Sequence, residues 1–95
     1  MANLFTRHNI FHGQLTGISG LAIQLPDYNE LYEGVTLVSY SGNQNIVYVG
    51  GSGVTPQNGF YLDPSTGTTF HVSSASVLFV ISNSGVNNSV SWYGS

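Results

Sequence analysis

The chain has 95 residues and a formal charge of −3, with one basic residue (Arg7) and four acids. Only 5% of residues are charged, against about 25% in an ordinary soluble domain. The hydrophobic and aromatic fractions, 41% and 13%, are those of a chain that folds. This balance excludes nucleic-acid binding through phosphate neutralisation and excludes charge-driven disorder.

Gly, Ser, Asn and Thr take the place of charge and are spread evenly, at turns and on alternating positions. Cysteine is absent, so there is neither a disulfide nor a thiolate metal site. No apolar run reaches the ~18 residues a spanning helix needs. Residues 1–13 lack the basic region and apolar core of a signal peptide, so neither secretion nor a membrane partner is expected. A single domain fits this length. A domain so small buries only about 60–65% of its unfolded surface. With few charges to keep copies apart, self-association is expected to add burial.

In chain order, residues 1–13 come first and fit neither helical nor strand period. They are expected to form an extended arm outside the sheet that docks on a partner. The docking residues would be Leu4, Phe5, Arg7, His8, Ile10, Phe11 and His12. Residues 14–95 are expected to form one β domain. Between residues 15 and 25, Leu21, Ile23 and Leu25 alternate as in a strand that Pro26 ends. Asp27 and Glu30 have the spacing of a helix N-terminus, and Gly34 stands where a helix would stop. A single helical turn is expected over 28–33.

Short strands follow at residues 35–41, 46–49, 60–62, 68–72, 77–81 and 89–93, separated by turn residues. Asn58-Gly59 carries the dipeptide of a tight hairpin with both residues at positive φ. The apolar run 77–81 reads as a central strand. This spacing predicts an all-β fold: a small antiparallel sandwich or jelly-roll-like barrel of seven or eight short strands.

Candidate chemistry is sparse. Gly50-Gly51-Ser52-Gly53 resembles a phosphate loop, but the chain has no Lys and no helix follows, so a turn is expected. His8 and His12 lie about 13 Å apart on an extended chain, too far for one ion, and no metal or other cofactor is expected. His71, Asp63 and the serines show no nucleophile-elbow pattern. Three of the four acids cluster near the expected helical turn, without the alternation of a calcium loop. No catalytic group is therefore expected. The sequon Asn87-Asn88-Ser89 has no secretion signal to give it meaning. Six Tyr among uncharged polar neighbours suit a contact surface that works without charge. Tyr40, Tyr48, Phe60, Phe79 and Trp92 are expected to fill the core. Tyr28, Tyr32 and Tyr93 are the expected interface residues.

Ile46-Val47-Tyr48-Val49-Gly50, Gly53-Val54-Thr55, Asn58-Gly59-Phe60 with Leu62 and Pro64, Val77-Leu78-Phe79-Val80 and Val90-Ser91-Trp92 form a pattern of strands and turns. It resembles small structural proteins of tailed bacteriophages, both head decoration (cement) and tail-associated ones, over residues 35–93. Pro64-Ser65-Thr66-Gly67 is a longer loop than the Pro-Gly-Glu common in that family, and the first 34 residues have no counterpart. The resemblance implies a virion protein on the capsid surface, made in the host cytoplasm. On that basis the expected function is a homotrimeric decoration protein that binds between major capsid protein subunits. The alternative is a tail, fibre or baseplate module that binds a host-surface glycan.

Overall fold

The computed structural model describes residues 10–27, 31, 33–83 and 85–95. They build eight strands: β1 (Phe11–Ile18), β2 (Ile23–Gln24), β3 (Val35–Ser39), β4 (Val47–Gly50), β5 (Phe60–Leu62), β6 (Gly67–Phe70), β7 (Phe79–Ile81) and β8 (Asn88–Gly94). One 3-10 turn, Ala75–Val77, leads into β7, and Ser74 caps it through its hydroxyl.

The pairing follows a single rule. β1 pairs with β8, β2 with β7, β3 with β6 and β4 with β5, all antiparallel. That is one long hairpin closed by the β4–β5 connection. Rolling it up adds the β3–β8 and β4–β7 ladders. Two four-stranded sheets result, in orders β1-β8-β3-β6 and β2-β7-β4-β5. The fold is a jelly-roll sandwich.

Strand alternation drives the packing. Val35 and Leu37 of β3, Val90 and Trp92 of β8, Val47 and Val49 of β4, Leu62 of β5 and Val80 of β7 meet between the sheets with Ile18 and Leu25. Ile18, Val35, Leu37, Val47 and Val80 have no exposed surface. Burying each such side chain contributes about 1.5–3 kcal/mol.

A polar cluster ties the loops at one end. Asn43 donates from Nδ2 to Ser39 Oγ at 2.9 Å and to the Ser89 carbonyl at 2.8 Å, and its Oδ1 accepts from the Ser89 N–H at 2.8 Å. Its side-chain amide thus acts as one more strand residue beside β8. Nearby, Asn88 donates to Ser82 Oγ at 2.8 Å, and that hydroxyl donates to the Ile46 carbonyl at 2.7 Å.

The all-β expectation holds, with several differences in detail. Residues 11–13 belong to β1, not to an arm outside the sheet: Phe11, His12 and Gly13 pair with Gly94, Tyr93 and Trp92. The alternation was hidden because Gly13 holds an inward position. A Cβ there would come within 3.1 Å of the Trp92 indole nitrogen, so the space is filled from β8.

Asn58-Gly59 is not a hairpin at positive φ; neither residue has that conformation. Instead Asn58 and Gly59 both donate N–H groups to the Thr55 carbonyl, and Asn58 Oδ1 accepts from the Thr55 N–H at 2.7 Å. Of the expected helical turn at 28–33, residues 31 and 33 are not helical, and 28–30 and 32 lie outside the described residues. Leu21 falls between β1 and β2 and is 83% exposed. Val77 ends the 3-10 turn instead of starting β7 and is also exposed.

Candidate interaction face

The two sheets present unequal outer faces. On the β2-β7-β4-β5 sheet the outward positions include Tyr48, Gly50, Phe79 and Ile81. The β4–β5 loop folds back over Gly50 and against Tyr48. Val54 is buried, although it lies outside the main core. A Cβ on Gly50 would meet Val54 Cγ2 at 2.9 Å, and one on Gly59 would meet Tyr48 Cβ at 2.7 Å. Glycine at both positions lets the loop lie this close. The β4–β5 loop therefore covers part of this face, at Gly50 and beside Tyr48, while Tyr61, opposite Tyr48 on β5, is 65% exposed.

The outer face of β1-β8-β3-β6 has no such cover among the described residues. Strand register places His12, Tyr93, Thr36 and Thr69 in one row across it, and Gln14, Ser91, Val38 and Gly67 in the next. Tyr40 continues the outward side of β3 just beyond its last residue. None of these carries a full charge; Glu33 stands at the margin. Val38, Tyr40 and Tyr93 are 40%, 59% and 49% exposed. Thr36 and Thr69 share a hydroxyl hydrogen bond of 2.7 Å across β3 and β6.

Shallow depressions flank Tyr93. One is lined by His12, Gln14, Val38 and Ser91, the other by Thr36, Thr69, His71 and Glu33. A third joins Gln14 and Ser91 to Tyr40. This surface combines exposed aromatic area with neutral donors and acceptors, the mixture found in protein interfaces, whose cores are depleted of charge.

Among the residues expected to make contacts, His12 and Tyr93 are direct cross-strand partners on this face. Ile10 precedes β1 and is 66% exposed. Phe11 turns inward and packs against the core instead of reaching out. Leu4, Phe5, Arg7, His8, Tyr28 and Tyr32 lie outside the described residues.

Of the five aromatics expected in the core only Trp92 lies there: Tyr48 and Phe79 take outward, half-buried positions, and Tyr40 and Phe60 are exposed. Tyr40 sits past the end of β3, where its ring covers Gly42. Phe60 points inward, but from an edge strand, and is 54% exposed. Its ring meets Phe70 edge-on at 5.8 Å, closing the open side between β5 and β6. Gln14, Thr36, Val38, Thr69 and Ser91 were not singled out from sequence. The signal was there in the polar positions of the alternating strands, but alternation does not say which strands share a face.

Among the described residues no group of three or more His, Asp or Glu could hold a metal ion. No described helix is long and apolar enough to cross a membrane. No known protein family, curated protein or solved structure matches the chain.

Proposed function

We propose that the chain is a structural protein of a tailed-bacteriophage virion, a decoration protein that binds between major capsid protein subunits through the face around Tyr93. It acts by contact, without a catalytic group or cofactor. The carrying observation is the outer face around Tyr93: among the described residues no loop crosses it, and it joins the exposed Val38, Tyr40 and Tyr93 to the neutral polar side chains of His12, Gln14 and Ser91. The sequence resemblance over residues 35–93 supports the virion setting. Jelly rolls occur in viral capsid and lectin domains, an analogy at the level of fold alone.

The test uses tailless heads purified from infected cells. Mass spectrometry should find the chain on them, and recombinant protein should rebind heads stripped of it. Tyr93→Glu, which puts charge in the centre of the face, should abolish rebinding while leaving the circular dichroism spectrum unchanged. Presence on tails alone, or full rebinding by Tyr93→Glu, would refute the proposal.

A second reading has the same face hold a neutral host-surface glycan, with Tyr93 as the stacking platform and Gln14, Ser91 and Thr36 as hydrogen-bonding neighbours. It predicts signal on a glycan array that Tyr93→Ala removes.

A further inference from the structure

Asn58-Gly59 is the one Asn-Gly step in the chain, and the fold does not use it as the tight hairpin the dipeptide favours. The step carries a chemistry of its own. Asparagine is a thermolabile residue. Glycine has no Cβ, so its backbone nitrogen reaches the Cγ of the preceding asparagine with least hindrance. Hydroxide takes the Gly59 N–H proton, the nitrogen bonds to Asn58 Cγ, and the Cγ–Nδ2 bond breaks. Ammonia leaves, taking a proton from water and returning the hydroxide. One water then opens the cyclic imide. Breaking the new N–Cγ bond leaves aspartate. Breaking the original peptide C–N bond leaves isoaspartate, with one more methylene in the main chain. Water is the only reagent consumed.

The β4–β5 loop holds each reacting group. The Gly59 N–H donates to the Thr55 carbonyl at 2.9 Å. Removing that proton breaks the bond and leaves an amide anion facing a carbonyl oxygen. Asn58 Oδ1 accepts from the Thr55 N–H at 2.7 Å, and Nδ2 donates to the Gly53 carbonyl at 3.3 Å. Attack makes Cγ tetrahedral and swings both atoms off these partners. The Thr55 N–H would favour charge growing on Oδ1, but that charge forms only after the Gly59 nitrogen has lost its proton. Packing adds to the restraint. Val54 is buried, and a Cβ on Gly59 would lie 2.7 Å from Tyr48 Cβ and 2.8 Å from Val54 Cγ2. The main chain beside Gly59 has no room for a further methylene.

We propose that Asn58 is a latent modification site, closed while the β4–β5 loop lies on the sheet and converted to aspartate and isoaspartate when the loop opens. The open fraction of the loop sets the rate, as it does for other reactions of locally opened segments. Isoaspartate makes the opening permanent, because the lengthened chain no longer fits between Tyr48 and Val54. The loop then stays off the sheet and bares Tyr48 beside the exposed Tyr61, its partner on β5. This site is separate from the face around Tyr93 and does not depend on the virion reading.

The test incubates the full chain at mildly alkaline pH, once folded and once unfolded in urea. Peptide mapping by mass spectrometry follows the exchange of amide for acid at Asn58, and isoaspartyl methyltransferase labels the isoaspartate. The folded chain should react at least about tenfold more slowly than the unfolded one. Val54→Ala loosens the loop outside the main core and leaves the Asn-Gly step intact. It should react several-fold faster than wild type when folded and at the same rate when unfolded. Gly50→Ala, whose Cβ would press on Val54 Cγ2 at 2.9 Å, should act in the same direction. The purified isoaspartate chain, returned from urea, should be cut by thermolysin within residues 51–60, where wild type resists. Equal folded and unfolded rates, no reaction in the unfolded chain, no acceleration in either loop variant, or a protease-resistant loop in the isoaspartate chain would each overturn the proposal.

Discussion

Asn43→Ala is the most informative single perturbation of the fold. The Asn43 amide makes three hydrogen bonds, of 2.9, 2.8 and 2.8 Å, to Ser39 Oγ and to both backbone groups of Ser89. It holds the β3–β4 turn against β8, and Ser39 at the contact is 1% exposed. Each such bond contributes a net of about 0.5–1.5 kcal/mol, and orphaned buried partners add to the loss. The expected cost is therefore roughly 2–4 kcal/mol. For a domain of this size 1 kcal/mol moves Tm by about 4–8 °C, so melting should fall by roughly 8–30 °C. Urea unfolding followed by Trp92 fluorescence reads the same quantity, because Trp92 is 4% exposed in the fold. With m about 1–1.5 kcal/mol/M, the midpoint should drop by roughly 2 M at unchanged m. Asn43→Asp should fare no better, since it keeps the acceptor for the Ser89 N–H but loses the donor to the Ser89 carbonyl and sets a carboxylate against that oxygen. A loss under about 0.5 kcal/mol for Asn43→Ala would refute the claim that this amide substitutes for a strand residue.

Gly34 has φ 107°, and a Cβ there would collide with the Phe70 carbonyl oxygen. Gly34→Ala should cost about 3 kcal/mol or more, from about 1–3 of backbone strain and a similar amount of overlap, measured as a fall in Tm. Leu37→Ala opens a hole where the side chain is fully buried, with an expected cost of about 2–5 kcal/mol by urea titration. Leu21→Ser, at a position 83% exposed, should stay within about 0.5 kcal/mol of wild type in the same titration. Deleting residues 2–13 removes the pairings of Phe11, His12 and Gly13 with β8. Calorimetry should show at least about 2 kcal/mol lost, at about 1 kcal/mol per ladder bond; an unchanged melting curve would return those residues to an arm.

The sequence alone carries the class of the fold and most of its strands. Val35 and Leu37, Val47 and Val49, and Val90 and Trp92 alternate with polar residues, and that period holds whatever the strands pair with. It also determined the uncharged surface, because the chain has too few ionisable residues to build any other. It did not reveal β1, whose inward position at Gly13 is filled by a ring from residue 92. Nor did it give the Asn58-Gly59 conformation, because there a long loop with bonds to Thr55 replaces the tight turn that the dipeptide favours. Tertiary structure alone decided which polar strand faces lie together. His12 and Tyr93 are 81 positions apart in sequence, and only the nested β1–β8 pairing makes them neighbours. It also decided that Val54 packs over Gly50 on one sheet, whereas among the described residues no loop crosses the outer face of the other. Period is a local property that each segment carries alone, whereas strand order and cover depend on contacts between segments far apart in sequence.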